Sequence, residues 1–150
     1  MGYKERGKYY SDFELGEKIF TSQRTVTEAD VVNFAGVSGD YNPLHTNEEM
    51  MKNSPFKTRI AHGVLTLAIA TGLINQAGIF EGTTIAVLEM VTKYTGAVKF
   101  GDTIYATLEV EDMKEKRKPE KGIIKFKINV LNQKDEKVLD GTWTIMLKDK

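Results

Sequence analysis

Residues 64–78 read VLTLAIATGLINQAG. Up to Ile74 this run is interrupted only by Thr66, Thr71 and Gly72. On a helix of 3.6 residues per turn its apolar side chains cover most of the circumference, and a helix that is apolar all round is buried all round. The run is too short to cross a bilayer as a helix. A chain of 150 residues can bury such a helix only by wrapping something around it.

The residues that follow supply the wrapper. Segments 83–95, 102–113, 122–132 and 137–148 read as four long strands. Ile104, Ala106, Leu108 and Val110 alternate with Thr103, Tyr105, Thr107 and Glu109, and Ile124, Phe126, Ile128 and Val130 alternate with Lys125, Lys127 and Asn129. Trp143, Ile145 and Leu147 share one face of the last strand. A period of two marks antiparallel strands buried on one side. EKRKPEKG (115–122) and NQKDEK (132–137) are polar turns between them. Ahead of the helix, residues 1–14 form a loose lead-in and 18–26 a first strand. Thr27 caps a helix carrying Val31, Val32, Phe34 and Ala35, which Gly36 and Gly39 end. Asn47 caps a short helix, EEMMKN. The outline is α+β: a long curled antiparallel sheet around one central apolar helix, the hot-dog arrangement, as a single domain over 1–150. Two copies joining sheet edges would hide an edge strand, so a homodimer is expected, with further assembly of dimers left open.

Composition narrows the function classes. Hydrophobic residues make up 41% and charged residues 28%, which suits a soluble globular chain. Lys+Arg and Asp+Glu balance at 21 each, so no excess charge points to nucleic acid or an anionic membrane. There is no cysteine, hence no disulfide framework or thiolate metal site, and two histidines alone make a metal centre improbable. The first residues, MGYKERGKYYSDF, lack a signal-peptide apolar core, so a cytoplasmic location is expected.

The chemistry is concentrated in VSGDYNPLHTN, residues 37–47. Asp40 and His45 flank Pro43, which precludes one continuous helix through both, and Gly39 frees the backbone just before Asp40. The loop can turn both side chains toward one water as an acid–base pair. Gly63 opens the apolar helix; its N–H, at a positive helix end, can approach a carbonyl closely and serve as an oxyanion donor. The residues themselves leave plainer readings open. Asp-x-Asn-Pro is ordinary turn chemistry, and a loop histidine is usually solvated or structural. His62 reads as structural at the helix start, Thr66 and Thr71 as bonded to their own helix, and Met50 and Met51 as core filler.

Ser38-Gly39-Asp40-x-Asn42-Pro43-Leu44-His45, followed by Ala61-His62-Gly63 opening the helix and by FGD at 100–102, resembles the MaoC-like dehydratases, the family of (R)-specific enoyl-CoA hydratases. The likeness runs over roughly residues 11–147. It implies a hot-dog homodimer with a substrate tunnel near the interface. Asp40 and His45 would be the catalytic pair adding water to C3 of a trans-2-enoyl thioester, with Gly63 N–H binding the thioester oxygen and Asn42 bracing the loop. Thr71 stands where some relatives carry a supporting serine, and Val64 and Leu65 would line the acyl pocket. No cofactor is implied beyond the coenzyme A of the substrate, and an acyl-carrier-protein thioester would present the same reacting atoms. Lys57, Arg59 and Lys93 are candidates for phosphate contact. A carrier-protein dehydratase, a subunit of a heterodimeric dehydratase and a hot-dog thioesterase are the alternatives. The last is disfavoured because no Asp or Glu lies between His62 and Gly78, where such thioesterases place their acid.

Overall fold

The alternating segments form one antiparallel sheet. The computed structural model describes residues 2–118 and 120–150, with the side chains of 115–118 outside that description, so Pro119 of the expected 115–122 turn is outside it as well. In chain order the elements are β1 (Lys18–Phe20), β2 (Arg24–Thr25), α1 (Glu28–Ser38), α2 (Pro43–Thr46), α3 (Glu48–Met51), α4 (Gly63–Gln76), β3 (Thr84–Tyr94), β4 (Thr103–Lys118), β5 (Lys121–Leu131) and β6 (Lys137–Lys148). The sheet runs β1-β4-β5-β6-β3, with β2 also on β4. Direct partners such as Val110↔Phe126 and Phe126↔Trp143 place the apolar sets of adjacent strands on one face.

That face is concave and α4 lies in it. Leu65, Ile69, Ala70, Leu73 and Ile74 join Ile104, Leu108, Phe126, Ile128, Leu139 and Ile145 in one core. Phe13 from the lead-in closes one end, with Phe13 and Phe80 each set edge-on to Phe126 at 5.5 Å. The lead-in is therefore tied down over 7–13 rather than loose: Gly7 and Lys8 donate to Glu81 and Ile79, and Tyr10 Oη donates to the Lys114 carbonyl.

Three local expectations are corrected. The strand read at 18–26 is two short pieces. Between them Thr21 Oγ1 accepts from Ala106 N, so a side chain stands in for a main-chain partner and the ladder breaks. Gly36 lies inside α1, which ends only at Gly39, a left-handed cap (φ 75°) whose N–H donates to Ala35 O. Helix α4 is not buried all round. Val64 is 56% exposed, and Ala68 and Asn75 on the same stripe are exposed too, because the sheet of one chain curls around only part of the helix.

Phe126 is fully buried and bridges helix, sheet and lead-in. Phe126→Ala should cost about 3–5 kcal/mol. Urea unfolding followed by Trp143 fluorescence checks this, and a loss under about 1 kcal/mol would show that the site collapses around the gap.

Candidate active site

Four segments converge at the start of α4. The first is the end of α1. Ser38 Oγ donates to Phe34 O and accepts from Asp40 N, so the chain leaves the helix with Asp40 already placed. Asp40 Oδ1 then accepts from Asn42 N, an Asx turn that leaves Oδ2 free of main-chain bonding. Pro43 does not break structure here. Asn42 Oδ1 caps Leu44 N, and Pro43 occupies the first position of a helical turn, where its missing N–H costs nothing. The expected 40–45 loop is thus half helix, and that turn carries His45 inward to 8% exposure.

The second segment is 59–62. Ile60 N donates to Leu44 O, and Ile60 O accepts from His45 Nδ1 at 2.7 Å. A carbonyl can only accept, so Nδ1 carries a proton and the ring turns Nε2 toward Asp40. Asp40 Oδ2 lies 3.9 Å from that Nε2, too far for a direct hydrogen bond. The His62 ring stacks on His45 at 3.7 Å, and its Nε2 donates to Asp40 O at 2.9 Å.

The third segment is α4 itself. Gly63 is its first residue, so its N–H belongs to the set without partners inside the helix. A Cβ at Gly63 would stand 2.8 Å from the Tyr94 ring, so a side chain there would displace that ring. The fourth is the end of β3 and the small residues after it, Thr95, Gly96 and Ala97. Residues of these segments, with Phe56, line an open cavity of about 570 Å³ that takes in His45, Gly63, Val64, Tyr94 and Val98, while Asp40 and His62 are not among its lining residues.

The structure sorts the remaining candidates. Val64 borders the cavity, but Leu65 does not; at 7% exposure it packs in the core one residue round the helix. Thr71 Oγ1 donates to Ala68 O at 2.6 Å, back to its own helix. Arg59 is not left for a phosphate: it holds Glu48 at 2.6 Å and Glu28 at 2.7 Å and lies over the Phe100 ring. Lys93 faces the other side of the sheet, in a concavity with Glu111 and Lys127. Lys57 is exposed, on a left-handed backbone (φ 64°) beside Phe56. Tyr94 and Phe56 were missed. Nothing in their local sequence distinguishes a cavity wall from a strand end or a loop aromatic.

Asp40, His45 and His62 each offer a ligating atom, all within 4.8 Å of one another. The ring stack opposes a shared ion. At 27° between planes, the in-plane lone pairs run side by side instead of converging on a point about 2 Å from each nitrogen.

A MaoC like domain matches residues 12–130. This chain belongs to the MaoC-like dehydratase family. Among its MaoC-like relatives, the (R)-specific enoyl-CoA hydratase of Rhodospirillum rubrum is 30% identical over 139 residues, 93% of this chain and 91% of the relative. An Archaeoglobus fulgius structure, called a monoamine oxidase regulatory protein, superposes with a TM-score of 0.88 at 33% identity, covering 96% of both chains. A Mycobacterium tuberculosis protein with a double hotdog fold matches at a TM-score of 0.82 and 18% identity, covering 99% of this chain and 46% of that one. That likeness bears on fold alone, and the MaoC-like chain has the hot-dog architecture. No helix among the described residues is long and apolar enough to cross a membrane.

The Arg59 cluster fixes the segment leading into the site, and its pH response has a definite sign. The hydrogen bond from Arg59 holds the Glu48 carboxyl below the usual carboxylate range. A depressed folded pKa contributes stability above the unfolded value of about 4.3 and loses it as pH falls through the folded value. Arg59→Leu should therefore lower the thermal midpoint at pH 7, and the gap to wild type should narrow as pH drops below about 4. A pH-independent gap would assign the effect to packing on Phe100.

Proposed function

We propose that this MaoC-like protein is an (R)-specific hydratase of trans-2-enoyl thioesters, acting in reverse as a 3-hydroxyacyl dehydratase. The observation that carries the reading is the 3.9 Å gap between Asp40 Oδ2 and His45 Nε2, beside the open N-terminus of α4. A water about 2.8 Å from each atom fits that gap as a shared hydrogen-bond partner. The water oxygen bonds to C3, its proton passes to the pair, and the pair returns a proton to C2. Charge gathers meanwhile on the thioester oxygen, where Gly63 N–H meets it without reorganising. Every atom of water ends in the product, so the step requires no redox group, and coenzyme A enters only as part of the substrate. An acyl-carrier-protein thioester is the alternative carrier. The (R)-specific relative supports the hand of addition for this chain.

The same reading makes the chain a homodimer in the cytoplasm. Strand β3 is an edge, yet it exposes Val87 (50%), Leu88 (48%), Met90 (38%), Val91 (46%) and Tyr94 (50%). Natural edges are usually blunted with charge, so an apolar one fits pairing with a second copy. That partner would also cover the open stripe of α4 and the Tyr94 side of the cavity. A chain without cysteine fits a reducing compartment.

Crotonyl-CoA should lose its conjugated absorbance on incubation with the protein and yield the (R)-3-hydroxy product. Asp40→Asn should lower kcat at least about 10²-fold while leaving the thermal midpoint within a few degrees. Full activity in that variant would remove Asp40 from the chemistry, and release of free thiol would favour the thioesterase. Val87→Asp should shift sedimentation from dimer to monomer; a dimer that persists would place the interface elsewhere.

A further inference from the structure

His62 takes no part in the hydration step, yet it is 2% exposed and touches every element that does. It is the N-cap residue of α4, but its side chain caps nothing. Instead Nε2 donates to the main-chain carbonyl of Asp40, 22 residues earlier, at 2.9 Å. One ring face lies against His45 at 3.7 Å and 27°, and the Phe34 ring packs against it at 4.9 Å and 63°. Its Nδ1 is buried with no hydrogen-bond partner among the described residues. Leaving a buried ring nitrogen unsatisfied carries a desolvation cost that a purely structural side chain would avoid. A phenylalanine or leucine would fill the same space without that cost.

We infer that His62 is the positioning residue of the Asp40/His45 pair, and this rests on the hydratase reading above. One imidazole performs two placements. Its donor fixes the Asp40 main chain, and so the origin of the carboxylate, relative to Gly63 one residue away. Its ring face stops His45 from turning about its Cβ–Cγ bond. That rotation would break the Nδ1–H bond to Ile60 O and turn Nε2 away from Asp40. Both reacting groups and the oxyanion donor are thereby referenced to the first turn of α4. A displacement of about 1 Å in such an arrangement costs on the order of 10²-fold in rate.

Two substitutions separate the two placements. His62→Phe keeps a flat ring against His45 and removes the donor; His62→Gln keeps a donor and removes the ring. The chain has two histidines, so its imidazole nitrogen NMR spectrum holds two ring systems, and each variant leaves His45 alone. In wild type His45 should show the single Nδ1–H form. Both variants should lower kcat for crotonyl-CoA by about 10²-fold with KM held within about threefold, the pattern of a transition-state effect. In His62→Gln the His45 signals should also split between tautomers or broaden. Wild-type kcat in a folded variant of either kind, a rise in KM alone, or an unchanged single tautomer in His62→Gln would overturn the assignment. Should Phe fail to fold, Gln carries both readouts. Should the wild-type protein turn over no enoyl thioester, the hydratase reading fails, and the nitrogen spectrum of His62→Gln still decides whether His62 holds the ring.

Discussion

Helix α4 has to hide Leu65, Ile69, Ala70, Leu73 and Ile74, and the concave face of β4, β5 and β6 is the surface that does it. The packing is apolar and close on both sides, so the helix has little freedom to slide or roll. That rigidity fixes more than a core. The first turn of α4 carries the free N–H groups of a helix start, and the sheet holds that turn at one end of the concavity. The candidate oxyanion donor is a by-product of burying one face of a fourteen-residue helix in a curled sheet.

The polar half of the site is built on that anchor by short-range chemistry. Ser38, Asp40, Asn42 and Asn47 each bond main-chain groups within four residues, and so shape residues 38–50 almost independently of the sheet. This local piece is then fastened to the segment that leads into α4 by three long-range bonds: Ile60 N to Leu44 O, His45 Nδ1 to Ile60 O and His62 Nε2 to Asp40 O. The result is a carboxyl group and an imidazole facing each other across a water-sized gap. Each is held by a partner other than the one it faces.

The opposite flank is unfinished. Strand β3 and the α4 stripe of Val64 and Ala68 present apolar and small side chains to solvent, and Tyr94 ends that strand directly over Gly63. Burial of α4 is complete toward its own sheet and incomplete toward the edge. A second MaoC-like copy at that edge would enclose the cavity as well as the strand.

Much of this was legible in the chain itself. The period of two in 103–148 and the apolar run 64–74 dictate a sheet around a helix, because each pattern has one way to bury its apolar side. Thr27 and Asn47 act as caps through bonds to residues three positions away, which local sequence specifies, whereas the cap at Asn42 reads in the sequence only as a loop brace. The motif around Asp40 and His45 pointed to the family. What sequence alone did not decide depends on distance through space. Leu65 differs from Val64 by 100° of helix rotation, and only the docked orientation of α4 puts one in the core and the other on the cavity. Arg59 is indistinguishable from Lys57 as a free cation until Glu28, 31 residues away, and Glu48 close on it. His62 looked structural because nothing near it in sequence reveals that its ring lies on His45 and its proton on the Asp40 carbonyl. Periodicity and caps are written locally; the meeting of segments forty residues apart is settled only when the apolar helix finds its sheet.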